Sequence, residues 1–429
     1  MRVRNLLLGL IREVRLENSD GAGLRSSFFI GFGGGDQLLG SGFAVTWWRT
    51  PRYKRLSSAL GRAIRDLLRE FVHIERSEIA AFLDAALKNN PLNRHLLARL
   101  SGPERPTSLL DGYLTNSAEV VASQLWIAIV AHISHATDDW LFVYPLRLAR
   151  ITETTQFPQY SALIFPASDH TIHSQYTDRF PILKDLSLST GTVGGIRLGD
   201  AETYTWLYIE RSGTKETVFS ETTALASALL GLILSAHWVV KPFEAFANSM
   251  ADPQDYAALF SKRPSSAGMF SSHCGPLFHS TFSGFQFSNE ALEWTVKALT
   301  AQQGLTTEKR RRVTVAAKWI NQAAPSNKHT RFLFFFFAVD ALYGERFQVE
   351  QSIVNAVRAA LGEEWSQKCR WLFELRSELV HGGCASTEDW NRLDQYRDHF
   401  QSNPESDIEA IAAQCLVAFH GIEGPRKAS

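Results

Sequence analysis

Between residues 41 and 100, the apolar positions Leu56, Leu60, Ile64, Leu67, Leu68 and Phe71 recur every three or four residues, with Arg62, Arg65 and Arg69 between them. That period predicts an amphipathic helix with a basic side, and the whole stretch is expected to be helical. Ser-Gly-Pro-Glu-Arg-Pro at 101–106 interrupts the pattern and marks a junction. Residues 117–135 are Ala-rich and mostly apolar, predicting a helix buried on several sides. The bias then changes. Residues 140–151, 161–165, 193–198 and 203–210 are rich in β-branched and aromatic residues and are separated by Pro, Gly, Asp and Thr clusters, which predicts strands. Residues 204–210 and 216–219, joined by Arg-Ser-Gly-Thr-Lys, predict a hairpin. Residues 252–283 are rich in Ser, Pro and Gly without a lasting period, and a domain boundary is placed there. Beyond it the helical pattern returns at 309–320, 331–344, 347–361 and 365–381. The expected fold class is α+β. It comprises a mainly helical region over 1–105, a mixed α/β domain with antiparallel strands over 106–260 and an all-α bundle over 284–425.

Composition narrows this picture only slightly. A chain of 429 residues accommodates two or three domains with ordinary cores. Lys and Arg number 44 and so do Asp and Glu, so net charge names no partner. Local balance differs: the first hundred residues favour Arg over acids, and Lys309-Arg310-Arg311-Arg312 is a basic run able to meet phosphates. Cys274, Cys369, Cys384 and Cys415 show no paired spacing, so neither a disulfide framework nor a zinc ribbon is signalled, and a reducing cytoplasm fits. The N-terminus places basic residues before a short apolar run but meets Arg12 and Glu13 with no small-residue cleavage site, so an amphipathic element is expected rather than a signal peptide. Residues 224–240 carry no formal charge and approach the length of a membrane span, yet include Ser227, Ser235 and His237. A buried helix is expected there, with no membrane involvement.

The candidate chemistry lies in Phe-Glu-Leu-Arg-Ser-Glu-Leu-Val-His-Gly-Gly, residues 373–383. Arg376 and His381 stand five positions apart near the end of a predicted helix, and Gly382 and Gly383 can cap it in the left-handed conformation. A near-neutral histidine can exchange protons with a ribose 2′-hydroxyl or a leaving 5′-oxygen, and a helix C-terminus favours its charged form. An arginine offers a planar fork of donors to phosphoryl oxygens as charge builds on them. Positions five apart point roughly 140° away from one another on a straight helix. Convergence on one phosphate therefore requires either that the histidine turns off the helix axis at the glycines or that a second copy of the motif faces the first.

This arrangement, an Arg, four residues, then His-Gly closing a late helix after the aromatic run at 331–344, resembles the HEPN superfamily, most closely its Apea-like branch, over about the last third of the chain. The resemblance implies a composite site in a homodimer, with Arg376 and His381 catalytic in metal-independent cleavage of RNA, either tRNA or mRNA, and no cofactor. It also implies a prokaryotic antiphage effector, with the N-terminal region answering a phage-derived trigger. Ser377, Arg370 and the run Lys309, Arg310, Arg311 and Arg312 are the candidate substrate contacts. Catalytic relatives often carry an amide-bearing residue where this chain has Ser377, and some toxins carry a tyrosine where it has Gly383.

Two other readings stand beside this one. A non-catalytic RNA-binding or interaction module predicts Arg376 bridged to Glu374 or Glu378, with His381 merely ending a helix. A metal-dependent hydrolase would draw on His132 and His135 ahead of Asp138 and Asp139, on His170 and His173, or on His273, Cys274 and His279. None of these sets forms an HExxH or paired CxxC signature, so no metal ligand is assigned. The glycine cluster at 31–35 lacks the Lys-Ser/Thr of a phosphate loop and is expected to be a turn.

Overall fold

The computed structural model describes residues 2–16, 24–31, 42–67, 76–88, 108–113, 118–147, 149–193, 196–198, 203–242, 256–263, 269–273 and 285–425. Two units divide the chain. One comprises 1–138 with 212–218, and the other 139–211 with 219–429.

In the first unit, helix α1 (Arg2–Arg12) leads into β1 (Val14–Arg15), followed by β2 (Leu24–Gly31), β3 (Gly42–Arg49), α2 (Pro51–Leu67), α3 (Arg76–Lys88), α4 (Leu109–Tyr113) and α5 (Ala118–Ala136). The strands form an antiparallel sheet in the order β1-β3-β2. Strand β3 corrects the expectation of helix from residue 41: Phe43, Val45, Trp47 and Trp48 favour an extended chain once β2 offers its edge. The predicted amphipathic helix is α2. Its Leu60 and Ile64 meet Leu7, Leu10 and Ile11 of α1, Ile79 and Leu83 of α3 and Val121, Leu125 and Ile129 of α5 in one core, while Arg62 is exposed. Arg65 and Arg69 lie outside the residues whose side chains are described, as do Leu67, Leu68 and Phe71. Glu78 accepts hydrogen bonds from the hydroxyls of Thr214 and Thr217, which holds segment 212–218 in this unit.

The second unit is built on a six-stranded sheet of β4 (Thr137–Arg147), β5 (Thr155–Phe157), β6 (Ala162–Pro166), β9 (Thr203–Thr214), β10 (Tyr256–Ser261) and β11 (Met269–His273). Two short strands, β7 (Thr192–Val193) and β8 (Ile196–Arg197), pair separately. The sheet order is β11-β10-β4-β9-β6-β5, with Leu259 opposite Phe142 and Ile164 opposite Leu207. Two expectations fail here. Strand β9 runs through the supposed turn to Thr214, and helix α7 (Lys215–Val240) starts at once, so no 204–219 hairpin forms. The supposed boundary at 252–283 contains β10 and β11, because Ala258, Leu259 and Phe260 gain burial by pairing with β4 more than a hundred residues away.

One face of this sheet carries Leu141, Val143, Trp206, Tyr208 and Phe260, covered by Phe180 and Leu183 after helix α6 (His170–Arg179). On strand β4, Phe142, between Leu141 and Val143, is buried as well and meets Phe219 of α7 in an edge contact. Burial from both sides explains why Trp140 to Tyr144 read as a continuous apolar run without alternation.

Helix α7 is the described helix long and apolar enough to cross a bilayer, and 72% of that stretch is buried within the protein. Its lack of a polar face follows from its neighbours. Beyond it lie α8 (Asn289–Gln302), α9 (Thr307–Ala323), α10 (Lys328–Tyr343), α11 (Val349–Leu361), α12 (Glu363–His381), α13 (Leu393–Phe400) and α14 (Pro404–Phe419). Gly231 of α7 sits so close to α9 that an added Cβ would lie 1.8 Å from the Ala317 carbonyl oxygen. Buried Asn321 donates to Ser227 at 3.1 Å, and the Ser288 N–H donates to His237 Nδ1 at 3.0 Å. The division at 138, rather than at 105 and 284, has this physical cause: α7 touches both the sheet and the following helices, so residues 139–211 and 219–429 form one unit. The chain is mixed α and β, mostly helical, with small antiparallel sheets, consistent with the α+β class.

Candidate functional site

Helix α12 brings Lys368, Cys369, Leu372, Leu375 and Leu379 to the interior at helical spacing. Glu363 and Glu364 occupy its first turn, where carboxylates suit the helix dipole. It ends as its glycines predict. Gly382 adopts φ 79°, and the N–H groups of Gly382 and Gly383 both donate to the Glu378 carbonyl. His381 is therefore the last helical residue, and the histidine does not turn off the axis at the glycines.

Arg376 lies at the edge of the buried face. Its guanidinium carbon sits 6.0 Å from the ring centroid of Phe336 on α10, and its Nε is buried without a hydrogen-bond partner. No ion pair involves Arg376 among the described residues. Glu374, a partner expected by the non-catalytic reading, instead accepts from Arg392, whose guanidinium stacks 3.9 Å from the Trp371 ring. The nearby acid is Asp340 of α10. Burial raises its carboxyl pKa above the usual value, partly offset by Arg376 and then Arg312. Gly344 closes over it, since a Cβ there would lie 1.9 Å from Asp340 Oδ1. Asp340 and Phe336 were not singled out as site residues. The available signal was a lone carboxylate inside the apolar run 331–344.

His381 is exposed and has no hydrogen bond or ion pair among the described residues. Helical geometry groups it with other candidates. Arg370, Glu374, Ser377 and His381 are spaced by four, three and four residues, which places them within about 60° of one another around the axis. Arg376 points about 140° away from His381. The structure thus assembles His381, Ser377 and Arg370 on one outward stripe and sets Arg376 against α10. Arg370 is exposed and unpartnered among the described residues, and Ser377 is half-buried.

The basic run begins α9, whose N-cap Thr306 accepts from the Lys309 N–H. Arg311 and Arg312 both donate to Glu308, and Arg312 also donates to the Leu342 carbonyl at 3.0 Å. Arg311 first and then Arg312 hold the Glu308 carboxyl down at about 2. Of the four cations, only Lys309 and Arg310 have side chains without a partner among the described residues.

The metal reading gains no cluster: no group of three or more His, Cys, Asp or Glu residues is placed to hold an ion among the described residues. His132 and His135 belong to α5 in the first unit, and His170 and His173 to α6 in the second. His173 Nδ1 lies 3.0 Å from the Tyr208 hydroxyl, and burial lowers its pKa. Cys274, His279 and glycines 33–35 lie outside the described residues. Cys369, Cys384 and Cys415 are buried free thiols, and burial pushes Cys369 up to about 12, the opposite of an activated nucleophile. A cavity of about 420 Å³ lined by Trp238, Trp365, Asp407 and Glu409 opens near the start of α12, about 24 Å along the helix from His381. No family model, curated protein or solved structure matches the chain.

Proposed function

We propose that this chain is a metal-independent endoribonuclease of HEPN type, acting in the cytoplasm as a homodimer through its C-terminal helices, residues 284–425. The observation that carries the reading is Arg376: a half-buried guanidinium with no ion pair among the described residues, on the helix that ends at exposed, left-handed-capped His381. A buried Nε–H without a partner costs the fold free energy, and a bound anion would complete its hydrogen bonds. A scissile phosphate would do so. Because Arg376 and His381 of one chain diverge, the Arg of one copy would meet the His of its mate across the dimer axis. His381 would take the proton from the ribose 2′-hydroxyl or deliver one to the 5′-oxygen, while Arg376 stabilises charge on the phosphoryl oxygens. The nucleophile belongs to the substrate, so RNA and not DNA would be cut, leaving a 2′,3′-cyclic phosphate and a 5′-hydroxyl. Among RNAs, tRNA and mRNA are the substrates proposed, and the antiphage role with a triggered N-terminal region follows from the family resemblance.

A second reading keeps the RNA and loses the cut. The divergence of the two side chains favours it if no second copy assembles, since one chain can then grip a phosphate without placing a base beside it. The test incubates purified wild type and a folded His381→Ala variant with tRNA and mRNA in excess EDTA, and maps the new ends. Cyclic phosphates from wild type alone support the ribonuclease. RNA retention without any cutting, including in extract from phage-infected cells, supports the binding module.

A further inference from the structure

Phe347 stands in the turn between α10 and α11, 97% exposed and with φ 68°. Both facts run against folding. A ring in water gains nothing from burial, and a bulky side chain at positive φ is a backbone outlier that glycine would relieve. The turn is nonetheless held firmly. The Gly344 N–H donates to the Asp340 carbonyl at 2.7 Å, the Glu345 N–H to Ser352 Oγ at 3.1 Å and the Gln348 N–H to the Glu345 carbonyl at 3.2 Å. The ring is thus presented on a fixed mount, and strain kept at such a place points to function.

Its surroundings indicate a partner. Arg346 next to it is exposed and unpartnered among the described residues. The bond from Arg312 to the Leu342 carbonyl ties the start of α9, with Lys309 and Arg310 unpartnered, to this end of α10. With Glu308 occupied by Arg311 and Arg312, the cations Lys309, Arg310 and Arg346 stand against the exposed acids Glu345 and Glu350 in these segments. Asp340, one turn before Gly344, is the same residue that feels Arg376. We infer that Phe347 is a base-stacking platform for single-stranded RNA, with Arg346, Lys309 and Arg310 on the backbone phosphates, which, resting on the ribonuclease reading, leads an unpaired strand toward Arg376. An exposed ring beside cations accepts any base, whereas the bases of a duplex are already stacked.

The test titrates the full chain into a fluorescein-labelled 12-nucleotide RNA made with 2′-O-methyl riboses, which lacks the attacking hydroxyl and stays intact, at one fixed salt concentration. Phe347→Gly should weaken binding about tenfold, as loss of one base–aromatic stack does, while leaving thermal stability equal or higher. Phe347→Trp should bind at least as tightly as wild type, and a duplex of the same length should not distinguish the three proteins. Wild type that binds RNA with Phe347→Gly equal to it would overturn the stacking role and leave the ribonuclease reading intact. Wild type that binds no RNA would overturn both. Dissociation of a dimer by Phe347→Gly, with unchanged affinity per chain, would overturn the stacking role and assign the ring to a contact between copies.

Discussion

Helix α12 carries two inward-leaning cations eight residues apart, and the fold treats them differently. Lys368, 7% exposed, donates to Asp407 at 3.1 Å and to Ser402 at 3.2 Å, while Tyr396 and Ser402 also donate to Asp407. Its ammonium lies 4.8 Å from the Trp365 ring. Arg376, against Phe336, has a buried Nε without a partner and no ion pair among the described residues. The same helix can therefore surround a buried charge with partners, and at Arg376 it does not. The difference separates a cation enclosed by hydrogen-bonding partners from one that has only a ring and a half-buried acid beside it.

The largest expected effects break this comparison directly. Lys368→Met should destabilise the protein by about 3–5 kcal/mol, because Asp407 would remain buried without its countercharge. Arg376→Met should cost only about 1 kcal/mol, because it removes a ring contact and a weaker attraction to half-buried Asp340 rather than an ion pair, yet should reduce the proposed RNA cleavage roughly 100- to 1000-fold. Urea unfolding of both variants, with single-turnover cleavage for the second, checks the pair of outcomes. Equal stability losses would make Arg376 a structural residue and remove the main support for the ribonuclease.

A smaller effect concerns the Lys368 end. Glu409 lines the cavity there, and burial raises its carboxyl to about 7 against an Arg331 ion pair at 3.9 Å that lowers it. Between the usual value of 4.5 and that raised value the folded state holds more protons than the unfolded chain, so stability falls as pH rises through this window. Glu409→Gln should abolish the slope and stabilise the protein at pH 8 by about 1–3 kcal/mol, measured by thermal unfolding across pH 4–8. A slope that survives the substitution would place its origin in another group.

The smallest effect lies at the other end. Gly382→Ala should cost about 1 kcal/mol, since φ 79° strains any residue with a Cβ although nothing crowds it within 4 Å. Cleavage by the folded fraction should drop only if the cap aims His381. Comparing activity per folded molecule with the unfolding midpoint separates these effects.

Much of α12 was legible in its own residues. Its apolar spacing, its Gly-Gly ending and the divergence of Arg376 and His381 all follow from a 3.6-residue period and from glycine's access to positive φ. The same holds for α2, α5 and α7, where local pattern and burial agree. The sheet was only partly legible. Strand β9 reads locally as half of a hairpin because its polar end resembles a turn, and its neighbours β4 and β6 are distant in sequence. Strands β10 and β11 were hidden in Ser- and Gly-rich sequence, where pairing supplied what propensity did not. Among site residues, the basic run by itself marks Arg311 and Arg312 as substrate contacts, whereas in the fold both donate to Glu308.

By itself, then, the sequence determined the apolar face of α12, its end at the glycines and which way each of its side chains leaves the helix, because those are short-range properties of backbone sterics and spacing. Only the tertiary structure decided which charges have partners. It gave Lys368 an aspartate from α14, gave Glu374 an arginine from beyond the helix, and set Arg376 beside Phe336 and Asp340 of α10. The physical reason is that charges couple through space over a few ångströms, and which groups come that close is decided by packing of elements remote along the chain.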